Sequence, residues 1–141
     1  MASIGDQRVR DFLSAGTRTG KVAWVAANGA PHVAPIWFVL DGGDVVFNTG
    51  SVTGKGRALA REGRASLVVD DQQPPFSFVK VDGAVTLSDD LPEVRRFASL
   101  IGSRYMGEDR AEEFGNRNGV PGELLVRLHA ERVSAVFGIA D

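Results

Sequence analysis

Thr49, Ser51, Thr53 and Lys55, interleaved with Gly50, Gly54 and Gly56, place three hydroxyls and one ammonium in eight consecutive positions. Glycines let a backbone approach a ligand closely, hydroxyls and N–H groups donate hydrogen bonds, and a lysine supplies charge. Such a loop opening a helix is suited to an anion, phosphate above all. The plainer alternative is a glycine-rich connection ending in a solvated lysine. The stretch GSVTGKG superficially matches a nucleotide-triphosphate loop, but that motif needs four residues between its glycines and here there are three. The residue after Lys55 is Gly56, which has no hydroxyl for magnesium. A nucleotide triphosphatase is therefore set aside, and the anion site stands without it.

The remaining candidates are weaker. Arg57, Arg61 and Arg64 extend a basic face beyond the loop. They are either a solvated helix face or a contact for a second negative group on a long ligand. Asp70 and Asp71 read as the polar end of a strand more readily than as an acid/base pair. His32 and His129 lie far apart, cysteine is absent, and no acidic cluster accompanies either histidine, so a zinc site is not expected. No serine sits in a nucleophile-elbow motif. Trp24, Trp37, Phe38, Phe76 and Phe78 fit a core better than a cofactor platform.

These residues need elements to position them. Asp6–Ala15 has a helical apolar stripe of Val9, Phe12 and Leu13. Lys21–Ala27 reads as a strand ending in the tight-turn pair Asn28-Gly29. Pro31–Leu40 is nearly all apolar and reads as a strand buried on both faces, made irregular or edge-like by Pro31 and Pro35. Val45–Thr49 precedes the loop, Lys55–Arg61 forms a short helix with Leu59 inward, and Ala65–Asp70 returns as a strand. Phe76–Leu87 is a strand with a kink at Asp82-Gly83. Pro92–Tyr105 is a helix burying Val94, Phe97, Leu100 and Ile101. Asp109–Phe114 adds a helical turn or two, Gly115–Gly122 is a loop, and Leu124–Val136 closes as one long strand. Strands joined by short turns, with helices at intervals, imply a mainly β fold: an antiparallel barrel of six to seven strands with flanking helices.

The 141 residues fit one domain, and 43% apolar content suffices for a core. A formal charge of −2 provides no global field for nucleic acid or an anionic membrane. The polar segment Met1–Asp11 lacks an apolar signal core, and no apolar run approaches the roughly 20 residues that span a bilayer. A cytoplasmic location is expected.

Taken in order, PHVAPIWFVLDGGDVVFNTGSVTGKGRALAREGRASLVVDD (31–71) and PPFSFVKVDG (74–83) resemble the pyridoxamine-phosphate-oxidase-like split β-barrel superfamily. So do GKVAWVAANGAPHVAP, GKGRALARE, SRYMG and GELLVRLHAERV. Within it the chain is most similar to the class B flavin/deazaflavin oxidoreductases, small actinobacterial enzymes that use coenzyme F-420. The resemblance spans roughly residues 8–139. It implies a homodimer whose partner completes each cofactor cleft, and a cofactor ring lying along Ala34, Pro35, Ile36 and Trp37. Thr49 and Thr53 would supply hydroxyls near the ribityl chain and phosphate, Lys55 would pair with the phosphate, and Ser51 and Gly54 complete the candidate cofactor loop. Arg57 and Arg61 would serve the anionic tail of F-420, and Phe78 and Val79 would fall near the ring's far side or the subunit seam. Flavin mononucleotide (FMN) oxidases of this superfamily carry an arginine where Gly54 stands, so one cation is missing here. The activity implied is hydride transfer from F-420 to a conjugated acceptor such as a quinone, enone or tetrapyrrole. FMN-dependent oxidation and a non-catalytic flavin, deazaflavin or haem binder are the alternatives. No metal is implied, and His32, Tyr105 or solvent would supply the proton.

Overall fold

A computed structural model describes residues 2–141; Met1, the first residue of the polar N-terminal segment, lies outside the described residues. The order is α1 (Gln7–Ser14), β1 (Gly20–Val25), β2 (Pro31–Ile36), β3 (Val39–Asp41), β4 (Asp44–Gly50), α2 (Gly54–Glu62), β5 (Arg64–Asp71), β6 (Ser77–Ser88), α3 (Leu91–Met106), a 3₁₀ turn (Glu108–Arg110), α4 (Ala111–Asn118), β7 (Glu123–His129) and β8 (Arg132–Phe137). All strand pairings are antiparallel, in the order β2-β1-β5-β6-β7-β4-β3, with β8 also on β6. The first and last strands of that order are joined in sequence by Trp37 and Phe38 alone. The sheet must therefore curl until its two ends meet, which makes a barrel split at those residues. This is the mainly β split barrel expected from the sequence.

The alternation of β4 shows how the layers form. Val45 and Phe47 point into the barrel with Leu67, Val81, Val126 and Leu128, whereas Val46 packs outward with Val94 and Phe97 of α3. β6 hands the chain from one half of the barrel to the other. Ser77–Ala84 pairs with β5, Ser77–Asp82 also with β8, and Val85–Ser88 with β7. The handover falls at Gly83, where a Cβ would overlap the carbonyl oxygen of His129. β6 runs without a break through Asp82-Gly83, where a kink was expected; what the glycine permits is this close approach of two backbones.

Four expectations need correction. Pro31–Leu40 is two short strands, and Pro31, His32, Val33 and Pro35 are exposed because β2 is the sheet's outer edge. Leu124–Val136 is likewise two strands, turning at Ala130-Glu131; the turn lacks glycine and proline, so alternation alone does not reveal it. Residues 115–118 belong to α4 and not to a loop, because Gly102 and Gly115 let α3 and α4 approach so closely that a Cβ on either would overlap Phe114 or Ser99. Leu100 is 45% exposed, on the side of α3 away from the barrel.

The split is held by the end of α3. Arg104 donates to the carbonyls of Phe38 (2.6 Å), Leu13 (2.8 Å) and Gly16 (3.0 Å). The Tyr105 hydroxyl donates to the Arg18 carbonyl (2.9 Å) and accepts from the Phe38 N–H (3.3 Å). Burial pulls the Arg104 guanidinium below its ordinary pKa and pushes the Tyr105 hydroxyl above its own. Arg104→Ala, which strands three carbonyls, is expected to cost about 3 kcal/mol, and Tyr105→Phe about 1–2 kcal/mol. Urea unfolding with an unchanged slope is the measurement; equal stability of both variants and wild type would show that the seam closes without them.

Candidate functional site

The loop expected to hold an anion is built by the end of β4 and the start of α2. Thr53 caps α2: its hydroxyl accepts from the Gly56 N–H (3.0 Å) and donates to the Gly50 carbonyl (2.8 Å). Its proton is thus already engaged. Gly56 is required sterically, because a Cβ there would overlap the Gly50 carbonyl oxygen. The Ser51 N–H donates to the Gly122 carbonyl (2.8 Å), tying the loop to the segment before β7. Within the described residues, the N–H groups of Gly54 and Lys55 have no recorded acceptor, as expected in the first turn of a helix. Thr49 is 5% exposed, and its hydroxyl oxygen has no partner.

Lys55 is half-buried and forms no ion pair with any described carboxylate within 4.0 Å. Burial lowers its pKa, and Glu123 partly restores it. Burial raises Glu123, and Lys55 offsets part of that rise. Glu123 was not legible as a neighbour, because it lies 68 positions beyond Lys55 and reaches the loop only through pairing with Gly50. Arg57 is exposed; Arg61 is bonded to the Val25 carbonyl (2.9 Å) and to Glu62 (3.3 Å).

A cleft of about 370 Å³ opens beside the barrel split, lined by Thr19, Pro35, Ile36, Trp37, Asn48, Ile101 and Asn118. It gathers three of the four residues assigned to the ring; Ala34, half-buried, is the next residue along β2. Trp37 stacks on Tyr105 with centroids 5.1 Å apart and planes 3° apart, and Phe114 braces it at 5.8 Å. Asn48 was missed by sequence reasoning. Its amide nitrogen is buried and unpartnered, and the signal was a polar residue at the end of the apolar run Val45–Phe47.

Phe78 is half-buried on β6, but Val79 has no exposed surface and packs inside the barrel, so its side chain reaches no ligand. Tyr105 has its hydroxyl committed to two backbone groups. His32 stacks on Trp24 (5.7 Å) at the sheet edge. His129 meets Asp44 (2.7 Å) and Thr86 (3.2 Å), a hydroxyl–imidazole–carboxylate row on the open surface of β7, outside every cavity described. Asp70 pairs with Lys21 (2.8 Å) and Asp71 with Arg18 (3.5 Å), so both serve the sheet. Among the described residues, no helix is long and apolar enough to cross a membrane, and no three His, Asp or Glu side chains gather as a metal site.

A split barrel with an aromatic cleft at its seam and a lysine-bearing loop beside it defines a class of small proteins that bind flavin-type cofactors. The family model for pyridoxamine 5′-phosphate oxidase matches residues 6–137, and the chain belongs to that family, which includes oxidoreductases. No curated protein sequence matches the chain. Among solved structures, a conserved hypothetical protein from Mycobacterium tuberculosis superposes with a TM-score of 0.80 at 20% identity, covering 93% of this chain and 83% of the other. An F420 reductase superposes at 0.69 with 22% identity, covering 88% and 94%. A heme binding protein from Mycobacterium smegmatis superposes at 0.65 with 19% identity, covering 99% and 60%. At these identities the likeness is one of fold.

The loop's architecture is itself testable. Thr53→Ala is expected to cost about 1 kcal/mol through loss of the helix cap. Gly56→Ala should cost more, because the clash is with backbone and neither partner can rotate away. Thermal unfolding of the two variants gives the order; a Gly56→Ala protein as stable as wild type would show that the loop can open freely.

Proposed function

We propose that the chain is an oxidoreductase that binds coenzyme F-420, its ring in the Pro35–Trp37 cleft and its phosphate at the Gly50–Gly56 loop. The observation that carries this reading is an unsatisfied buried group on the cleft side of β4, the Asn48 amide nitrogen. A buried polar group without a partner is costly, and a bound ligand is the ordinary remedy. Family membership and the fold likeness to an F420 reductase support the same choice. So does the single lysine at the loop, where Gly54 occupies the place of a second cation. A haem reading is less favoured, since neither histidine lines the cleft.

The group would supply hydride transfer to a small conjugated acceptor. The protein's part is to bind and orient. Lys55 and the N–H groups of Gly54 and Lys55 face the phosphate at the positive end of α2. Trp37, held flat by Tyr105, offers one stacking face, and Pro35, Ile36 and Ile101 keep water from the ring. No side chain that this chain gives to the cleft is titratable and the Tyr105 hydroxyl is already bonded twice, which leaves water or the second chain to supply the proton for the product.

The reading includes a symmetric dimer. The outer face of β2, β1, β5, β6 and β8 exposes Val33 (67%), Val25 (44%) and Val136 (41%), and carries a hollow of about 590 Å³ that Val25 lines with Ala23 and Pro31. Exposed apolar surface on a sheet favours a partner.

Lys55→Ala is expected to weaken F-420 binding by about 10- to 150-fold, the equivalent of 1.5–3 kcal/mol for a charge-assisted contact. Fluorescence titration measures it, and an unchanged dissociation constant would reject the phosphate site. Sedimentation at micromolar concentration is expected to give twice the chain mass; a stable monomer would remove the partner from the cleft.

A further inference from the structure

We propose that Glu123 sets the ligand specificity of the loop: its carboxylate, beside the Lys55 ammonium, favours a singly charged phosphodiester and disfavours a doubly charged phosphomonoester. This rests on the reading of Gly50–Gly56 as the cofactor's phosphate site.

Glu123 opens β7 directly opposite Gly50, the last residue of β4. The loop cannot drift away from it. Ser51 is bonded to the Gly122 carbonyl, and both the N–H and the hydroxyl of Thr53 are bonded to the Gly50 carbonyl, at 3.3 and 2.8 Å. Glu123 is half-buried, and among the described residues its carboxylate has no hydrogen bond and no ion pair. That register and the short Gly50–Gly54 loop bring Glu123 to the start of α2, where Lys55 stands without an ion pair within 4.0 Å, and each offsets part of the other's burial-driven pKa shift. A second feature points to a ligand on this side of β4: Asn48, two residues before Gly50 and on the same face of the strand, has a buried amide nitrogen with no partner among the described residues.

A half-buried carboxylate with no partner does not stabilise the fold. Its effect falls on whatever negative charge enters the loop. A phosphodiester carries one charge, and Lys55 with the helix end offsets it. A phosphomonoester at neutral pH carries between one and a half and two. The excess charge meets Glu123 at short range in a partly desolvated site, where repulsion exceeds its value in water. Arg57 does not cancel it, being two positions beyond Lys55, off the same helix face and exposed.

The test compares F-420, a phosphodiester, with FMN, a phosphomonoester, by fluorescence titration on wild type, Glu123→Gln, Glu123→Lys and Lys55→Ala, with circular dichroism confirming the fold of each. Glu123→Gln is expected to tighten FMN about three- to ten-fold, and F-420 by clearly less. Glu123→Lys should move the FMN/F-420 preference further the same way, and both shifts should shrink at about 0.5 M salt. Unchanged FMN affinity in both variants, or equal gains for both cofactors, overturns this role for Glu123 where Lys55→Ala still weakens both. Failure of F-420 to bind wild type, or indifference of F-420 to Lys55→Ala, overturns the phosphate site itself and the role of Glu123 with it.

Discussion

Everything in this barrel depends on closing a sheet whose two ends are joined by two residues. Ile36 and Phe38 both point into the core, so Trp37 between them must point out. Arg104 and Tyr105 hold that arrangement by bonding both backbone groups of Phe38. The guanidinium also lies over the Phe38 ring at 4.6 Å and anchors the end of α1 through two carbonyls. The same tyrosine ring is the surface on which Trp37 lies flat. Closure of the fold and one wall of the cleft are therefore one set of contacts. A perturbation of the clamp would be felt in the cleft before the core.

The clamp works only if α3 is fixed along its whole length. At its start, Glu93 shares Arg127 with Asp41 and Asp44, at 3.2, 2.8 and 3.3 Å. The three carboxylates, Asp41 foremost, raise the pKa of Arg127. Pairs this exposed contribute little singly, but the set joins α3 to β3, β4 and β7 at one point. In its second half, Gly102 admits Phe114, and Gly115 admits Ser99. These contacts bring Phe114 against Trp37. The helical pair is thus a brace for the seam, attached at one end by charge and at the other by packing.

How far the sequence revealed this depended on whether the signal was local. The loop at Gly50–Gly56 was visible, because glycine, hydroxyl and lysine spacing is short-range chemistry, whereas Thr53, assigned there to the ligand, spends its hydroxyl on capping α2. Gly83 was visible as a special position for the same reason, though its role is a close backbone approach. The turn at Ala130-Glu131 was not, since its residues carry no turn preference and the break is imposed by β6 changing partners. The exposure of Pro31–Pro35 was hidden because an apolar run reads as buried until an edge is known. The helix over 115–118 was hidden because its glycines signal a loop locally, while their purpose is helix-to-helix contact. Asn48 and Glu123 required strand register, which only the folded sheet supplies.

The division of labour along β4 follows from that register. Asn48 faces the neutral cleft, Thr49 faces the barrel, and Gly50 begins the charged loop. At a rise of about 3.3 Å per residue, cleft and loop are separated by roughly 7 Å along the strand. A ligand using both must carry a flat apolar end and an anionic end joined by a short flexible chain. The unsatisfied Asn48 amide nitrogen sits on that span, where the joining chain would pass. The cleft can then remain free of charge, since the anchoring charge is held beyond the end of the strand, and the ring environment is set by packing alone. Burying a charge beside the ring would need a partner inside the cleft, and the arrangement along β4 removes that need.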